Sequence, residues 1–284
     1  VMLLCLPLLQ AKAQLPAHNS PNSLLWKISG NNMMQPSFLY GTMHMMCEKD
    51  FKFPPGVITA LQATQQLYLE LNMDDSTMLR QMQQLLLMPE DYSLKKLFAP
   101  EDYRQLNDYL KKTIGVDAAL FDRMKPMALT SLLTVKLLLP CTQPFSIEKE
   151  LLKNAKAQQK SIAGLETLED QMAVFDSIPD KEEAAALVDM LRHPDEERAQ
   201  FDSLLHAYQR QDIQQLYNLT VSSKDIGPFR DILLDRRNAR WIPLITQQIQ
   251  ATPTFFAVGA GHLGGPNGVI ALLRRQGYRV EPVK

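Results

Sequence analysis

Apolar and polar positions along the chain change period twice. Residues 24–29 (LLWKIS) and 37–40 (SFLY) read as strands on either side of the turn-forming Gly30-Asn31-Asn32, which predicts a β-hairpin running into Gly41. Residues 55–63 fit a short helix with prolines at its start. Residues 66–71 (QLYLEL) fit a third strand with Glu70 near its end. From about 74 to 250 apolar residues recur at helical spacing, most clearly in 101–112, 126–139, 147–158, 182–191 and 229–250. One strand, 161–165, interrupts this stretch and ends at Glu166. Thr167 then reads as an N-cap, with Asp170 supplying much of a capping box. Strand character returns at 254–258 as a continuous apolar run, the pattern of a strand buried on both faces. A Gly-rich turn, a helix over 267–275, Gly277 as its cap and a strand at 278–283 complete the pattern.

The motif-bearing strands come from the two ends. The expected fold is therefore α/β, with a mixed central sheet built from both chain ends and a large helical middle section, about 74–250, packed on it as an insertion. A single domain over 14–284 is expected. With 284 residues and 45% hydrophobic composition, a substantial core is available.

Charge removes one class of function. The 30 Lys+Arg and 31 Asp+Glu leave a formal net charge of −1, with no basic stripe, so nucleic acid is not an expected partner. The apolar residues 1–9 (VMLLCLPLL) run into Ala11-Lys12-Ala13 and read as the remnant of a signal peptide over 1–13 with an A-x-A cleavage site. That stretch is too short to span a bilayer, and no other segment approaches ~20 unbroken apolar residues. The expectation is a periplasmic or secreted protein with no transmembrane anchor after signal removal. Cys47 and Cys141 remain, and in an oxidising compartment an even pair is most simply a disulfide. Two buried thiols or thiolate metal ligands are the alternatives.

Candidate chemistry sits at the predicted strand ends. Gly41-Thr42-Met43-His44 and Gly259-Ala260-Gly261-His262 each follow a strand directly. Ligands bind at strand ends in open α/β sheets, and the glycine permits the sharp turn that lets a histidine three residues later project above the sheet edge. On composition alone the coincidence is about one in a hundred. Two imidazoles, Glu70 at the end of its strand and Glu166 at the end of another are the donor types that hold a divalent metal, which would support hydrolysis. Taken singly, each glutamate is more simply a solvated or ion-paired carboxylate.

Arg236, Arg237, Asn238 and Trp241 cluster on one predicted helix, with Arg237 and Trp241 at i,i+4. A guanidinium there could stabilise an oxyanion, but spacing alone favours a surface ion pair beside a core Trp. His193 and His206 read as surface or satisfied core histidines, and Met43, Met45 and Met46 as gap-filling core. Gly259-x-Gly261-x-x-Gly264, with Glu281 beyond, also satisfies the local dinucleotide fingerprint. Only about twenty residues follow it, too few for the further βαβ units a Rossmann crevice requires.

These residues resemble the TraB/GumN family: the hairpin leading to GTMH, the strand carrying Glu70, SIAGLETLEDQ, RRNARW, and FFAVGAGHLGGPNGVIALLRRQGYRV. The likeness covers nearly the whole chain after residue 13, and extends more distantly to Tiki-type metalloproteases with paired GxxH motifs. It implies dependence on a divalent metal (Mn, Co or Zn) and hydrolysis of a peptide or protein substrate, with His44, Glu70 and His262 in the metal site. It also implies functional roles for Arg237 and Asn238, reversing the reading from spacing. The expected function is an exported metal-dependent hydrolase, a peptidase, with Glu166 as fourth ligand or general base and Arg237 and Asn238 orienting substrate or oxyanion. The alternatives are a non-catalytic periplasmic protein that binds a ligand or peptide in the same cleft, and a metal-independent hydrolase.

Overall fold

The segment Thr254–Gly259, apolar from Phe255 to Val258, is buried at every residue because it lies inside a sheet covered on both faces. A computed structural model describes residues 22–283, so the signal-like segment expected at 1–13 lies outside the described residues. The strands are β1 (Leu25–Ser29), β2 (Ser37–Thr42), β3 (Met46–Cys47), β4 (Gln66–Leu69), β5 (Pro144–Phe145), β6 (Ser161–Gly164), β7 (Thr254–Gly259) and β8 (Arg279–Pro282). Six of them form one sheet in the order β6-β4-β7-β2-β1-β8, and β3 pairs separately with β5. The β1–β2 hairpin and the β1–β8 pair are antiparallel, whereas β6, β4, β7 and β2 run parallel. The mixed sheet built from both chain ends is thus observed.

The helices are α1 (Val57–Gln62), α2 (Met78–Leu85), α3 (Leu94–Leu97), α4 (Pro100–Ile114), α5 (Pro126–Leu138) and α6 (Ile147–Ala157). They continue with α7 (Leu168–Phe175), α8 (Asp180–Arg192), α9 (Pro194–Gln209), α10 (Ile213–Ser222), α11 (Arg236–Ala251) and α12 (Val269–Arg275). Period-two alternation along β7 sends Phe255 and Ala257 to the face covered by α1, α6 and α9. It sends Phe256 and Val258 to the opposite face, under α11 and α12. A third core, formed by Leu94, Leu106, Leu129, Leu133 and Leu187 among others, holds α3, α4, α5 and α8 together as a helical arm away from the sheet.

Thr167 caps α7 through a complete capping box with Asp170. The expected helix 229–250 is interrupted: a π-helical turn, Asp231–Asp235, precedes α11. Periodicity does not single out α9 and α10, because each buries only two residues fully: Ala207 and Tyr208 in one, Leu216 and Tyr217 in the other. The middle section is also less separate from the sheet than an insertion implies, since β6 forms its edge and α6 and α9 cover one face.

In the arm, the Glu183 carboxylate accepts the Met127 N–H at the start of α5 (3.2 Å). Burial, with Asp180 and Asp176 nearby, raises its pKa to about 7, against help from that N–H and from Lys125. A carboxyl that holds its proton more tightly when folded stabilises the native state below its ordinary range, and that contribution is lost as pH rises towards 7. Glu183→Gln is therefore expected to stabilise the protein at pH 8 by on the order of 1–2 kcal/mol, with little change at pH 4. Urea unfolding at the two pH values checks this, and equal effects at both would contradict it.

Candidate active site

The parallel strands β6, β4, β7 and β2 end side by side, so the residues just beyond them converge. Thr42 lies opposite Gly259 in the register, and the ladder continues past β4 and β6 through Leu165 N–H to the Leu69 carbonyl and Glu166 N–H to that of Glu70. His44, His262, Glu70 and Glu166 therefore share one rim of the sheet.

Both motif glycines mark close approaches. A Cβ on Gly41 would stand 2.7 Å from Leu263 Cδ1 and 3.1 Å from Ala260 Cβ, so the first motif packs directly on the turn carrying the second. A Cβ on Gly259 would stand 3.3 Å from both Glu70 Oε1 and His44 Nε2. The space above Gly259 is thus bordered by a carboxylate oxygen and an imidazole nitrogen.

Each histidine is held through Nδ1. That of His44 lies 2.8 Å from Glu148 Oε1, and that of His262 lies 2.7 Å from Asn238 Oδ1. With an oxygen accepting from Nδ1–H, the lone pair is on Nε2, the usual arrangement for a metal-ligating histidine. Burial pushes His262 down to about 3 against the pull of Glu70, so its imidazole is neutral. His44 goes the other way. Its surroundings are dense and disfavour charge, but the hydrogen bond to Glu148 and the charge of Glu70 outweigh this and raise it. Its side chain is 65% accessible, so water softens these pulls and the imidazole forms part of an open cleft wall. Glu70 is penalised by burial, yet His44, Arg237 and the Gly259 N–H (2.7 Å) hold it charged, below the ordinary carboxylate range.

Arg237 is a buried cation, not the surface ion pair that spacing favours. Its Nη2 donates to Glu70 Oε2 and Glu166 Oε1 at 2.6 Å each, its Nε to Glu166 at 3.1 Å, and its Nη1 to the Leu233 carbonyl at 3.1 Å. Nη1 also lies 3.2 Å from His262 Nε2. The guanidinium carbon sits 4.9 Å from the Trp241 ring centre, and that ring lies 4.6 Å from His262. Neighbouring Arg236 does make the surface pair, with Asp231.

Glu166 is fully engaged: besides Arg237 it accepts from Trp241 Nε1 (3.2 Å) and Gln171 Nε2 (3.0 Å). Asn238 is engaged too, its oxygen taking His262 and its nitrogen donating to the Asn267 carbonyl (2.9 Å). Both therefore act on neighbouring side chains in this geometry.

The chemistry of the donor set fits a divalent ion, with the Nε2 lone pair of His262, that of His44 once an incoming ion displaces its proton, and a carboxylate around the space above Gly259. Among the described residues, however, no three His, Cys, Asp or Glu side chains stand in coordinating geometry, and Arg237 lies against one of the two imidazoles.

Sequence reasoning missed Glu148, Gln171 and Tyr208. Glu148 looks like an ordinary acidic residue in the first turn of α6. Tyr208 donates to the Gly41 carbonyl (3.0 Å) from α9, far along the chain, and only the fold brings it there. His193 and His206 are exposed, as expected, and His193 pairs with Asp189. Met46 is buried and Met43 packs against the core, whereas Met45 is exposed. Of the glycines of the dinucleotide-like loop, Gly261 and Gly264 pack on Thr220 and Tyr217 of α10 and Gly259 faces Glu70 and His44, so side chains occupy the places a phosphate would take. Cys47 and Cys141 form a disulfide, with a Cα separation of 5.8 Å.

The family model described as TraB/PrgY/gumN matches residues 24–282. The chain belongs to the TraB/PrgY/gumN family. Curated relatives of this family member include Metalloprotease TIKI1 of Danio rerio, 26% identical over 92% of the chain and 63% of the relative. Metalloprotease TIKI2 of the same species is 22% identical over 92% of the chain and 61% of its own length. The chain thus spans about three-fifths of these two relatives. An uncharacterized protein, YbaP of Shigella flexneri, is 24% identical over 84% of the chain and 88% of its own length. No solved structure matches the chain.

Proposed function

We propose that this protein is an exported metal-dependent peptidase whose metal is held by His44, Glu70 and His262. The observation that carries the reading is the convergence of two GxxH histidines, far apart in the chain, each held at Nδ1 by an oxygen and each bordering Glu70. The metalloprotease relatives support it, and the disulfide accords with an oxidising compartment. Among the described residues no helix is long and apolar enough to cross a membrane.

A bound divalent ion would polarise a peptide carbonyl and acidify a water molecule. Glu148 fixes the ring orientation of His44, and Asn238 does the same for His262. Arg237 holds the Glu70 carboxylate in its charged, ligating form, while Glu166, itself held by Gln171 and Trp241, holds Arg237. Arg237 and Asn238 thus organise the site in this reading and do not themselves clamp substrate.

A second reading, a binding protein using the same cleft, is favoured by the contact between Arg237 and His262 Nε2. The two separate cleanly. Protein prepared without a histidine tag and dialysed against Mn²⁺, Co²⁺ or Zn²⁺ should retain near-stoichiometric metal by elemental analysis and cleave members of a peptide library. His44→Ala should lower both metal retention and cleavage, the latter by about a hundredfold, the range of a lost electrostatic catalytic group. Cleavage that persists in chelator would refute the metal, and ligand binding without any turnover would favour the second reading.

A further inference from the structure

Beside the strand-end site lies a cavity of about 580 Å³, within the range of ligand pockets, bordered by α5, α7, α8 and the segment 224–233. Phe175, Ile178, Phe229 and Leu233 make its apolar wall. Two of its walls are shared with the site. On α7, Phe175 lines the cavity while Gln171, four residues earlier, hydrogen-bonds Glu166. In the π-helical turn, Leu233 lines the cavity while Arg237, four residues later, binds Glu70 and Glu166. Residues four apart on a helix are about 5–6 Å apart, so the cavity begins about one helical turn from Gln171 and Arg237, the residues that bind the carboxylates.

Its charge is one-sided. Glu182, Glu183, Asp189 and Asp225 face it against Lys224, which is engaged with Asp189 at 2.8 Å. Lys125, near Glu183, is paired with Asp176. Among the described residues, Glu182, Glu183 and Asp225 have no ion-pair partner. An apolar wall with unbalanced carboxylates is complementary to a ligand that joins apolar bulk to a cation.

We propose that this cavity is a substrate subsite for a peptide segment carrying a bulky apolar side chain next to a basic one. The apolar side chain lies on Phe175, Ile178, Phe229 and Leu233, and the basic one reaches Glu183 and Asp225. The placement of a scissile bond beside the cavity rests on the peptidase reading, but the binding preference does not. The elevated pKa of Glu183, set by burial and by the Asp180, Asp176, Lys125 and Met127 N–H groups that face it, accords with a carboxylate that gains from an incoming cation.

Fluorescence anisotropy with three labelled peptides of equal length, containing Phe-Lys, Phe-Gln or Phe-Glu, tests this without requiring turnover. The Phe-Lys peptide is expected to bind about tenfold more tightly than Phe-Glu at pH 8 and low salt, a difference of about 1.4 kcal/mol. The double variant Glu183→Gln, Asp225→Asn should abolish that ranking while leaving the Phe-Gln peptide little changed. Ala186→Phe, which narrows the cavity from a lining position, should weaken all three, with circular dichroism confirming its fold. Equal binding of the three peptides, or an unchanged ranking in the double variant, overturns the subsite. Absence of cleavage with the ranking intact would overturn only the peptidase reading, and cleavage with no basic preference only the subsite.

Discussion

Arg237→Met is expected to lower the unfolding free energy by about 3–5 kcal/mol, the usual effect of removing one partner from a buried charge network. Arg237 stands between Glu70 and Glu166, at 2.6 Å from each, and all three side chains are almost inaccessible. Without the guanidinium, two buried carboxylates face each other, with His262, His44, Gln171, Trp241 and the Gly259 N–H nearby and the half-exposed Arg240 3.8 Å from Glu166 as the remaining cation. Arg237→Lys keeps a charge but loses the planar fork that serves both carboxylates, the Leu233 carbonyl and the Trp241 ring, so a smaller loss of about 1–2 kcal/mol is expected. Adding Glu166→Gln to Arg237→Met should recover part of the loss, because it removes one of the orphaned charges. Urea unfolding of the four proteins provides the measurement. A loss below about 1 kcal/mol for Arg237→Met would mean that water enters and solvates the pair. In the peptidase reading the same variant also loses cleavage under fully native conditions.

The second large effect is expected from the disulfide. Cys47 and Cys141 are separated by 94 positions, and a loop of about 100 residues corresponds to at most about 4.7 kcal/mol in the chain-entropy model. The double variant Cys47→Ala, Cys141→Ala should lose about 2–5 kcal/mol. The bridge adjoins the short β3–β5 pair, Met46 opposite Phe145, and so ties the loop just after His44 to the segment leading into α6, which carries Glu148. Loss of the bridge should therefore also weaken any ligand that depends on the His44–Glu148 pair. Thermal unfolding with and without reductant checks the stability term. Reductant should lower Tm in the parent protein and leave the double variant unchanged; equal responses would remove the disulfide from the stability argument.

Much of the fold could be read from local patterns because those patterns reflect forces that act locally. An apolar residue at every position of 255–258 has one good solution, a strand buried on both faces, and β7 adopts it. Thr167 and Asp170 satisfy each other within one turn, so the start of α7 needs no tertiary information. The glycines at 41 and 259 read as turn residues, but neither has a positive φ and the structure shows both as sites of close approach; the histidines three residues on were legible as residues lifted over a strand end.

Burial was not legible in the same way. Arg237 and Trp241 at i,i+4 announce a shared helix face, but not whether that face meets water or a pair of carboxylates. Only the packing of α11 on the sheet turned Arg237 into a buried counter-ion. Glu148, Gln171 and Tyr208 arrive from α6, α7 and α9, and nothing near them in the chain distinguishes them from ordinary helix residues.

Taken alone, the amino-acid order determined the α/β class, the strands that carry the motifs and the identity of the strand-end side chains, because period and turn chemistry act over a few residues. The tertiary structure decided which of those side chains meet, which nitrogen of each histidine is held, and that Arg237, Glu166 and Asn238 serve their neighbours. Those outcomes depend on strand order and helix packing, which bring together groups that no short-range interaction connects.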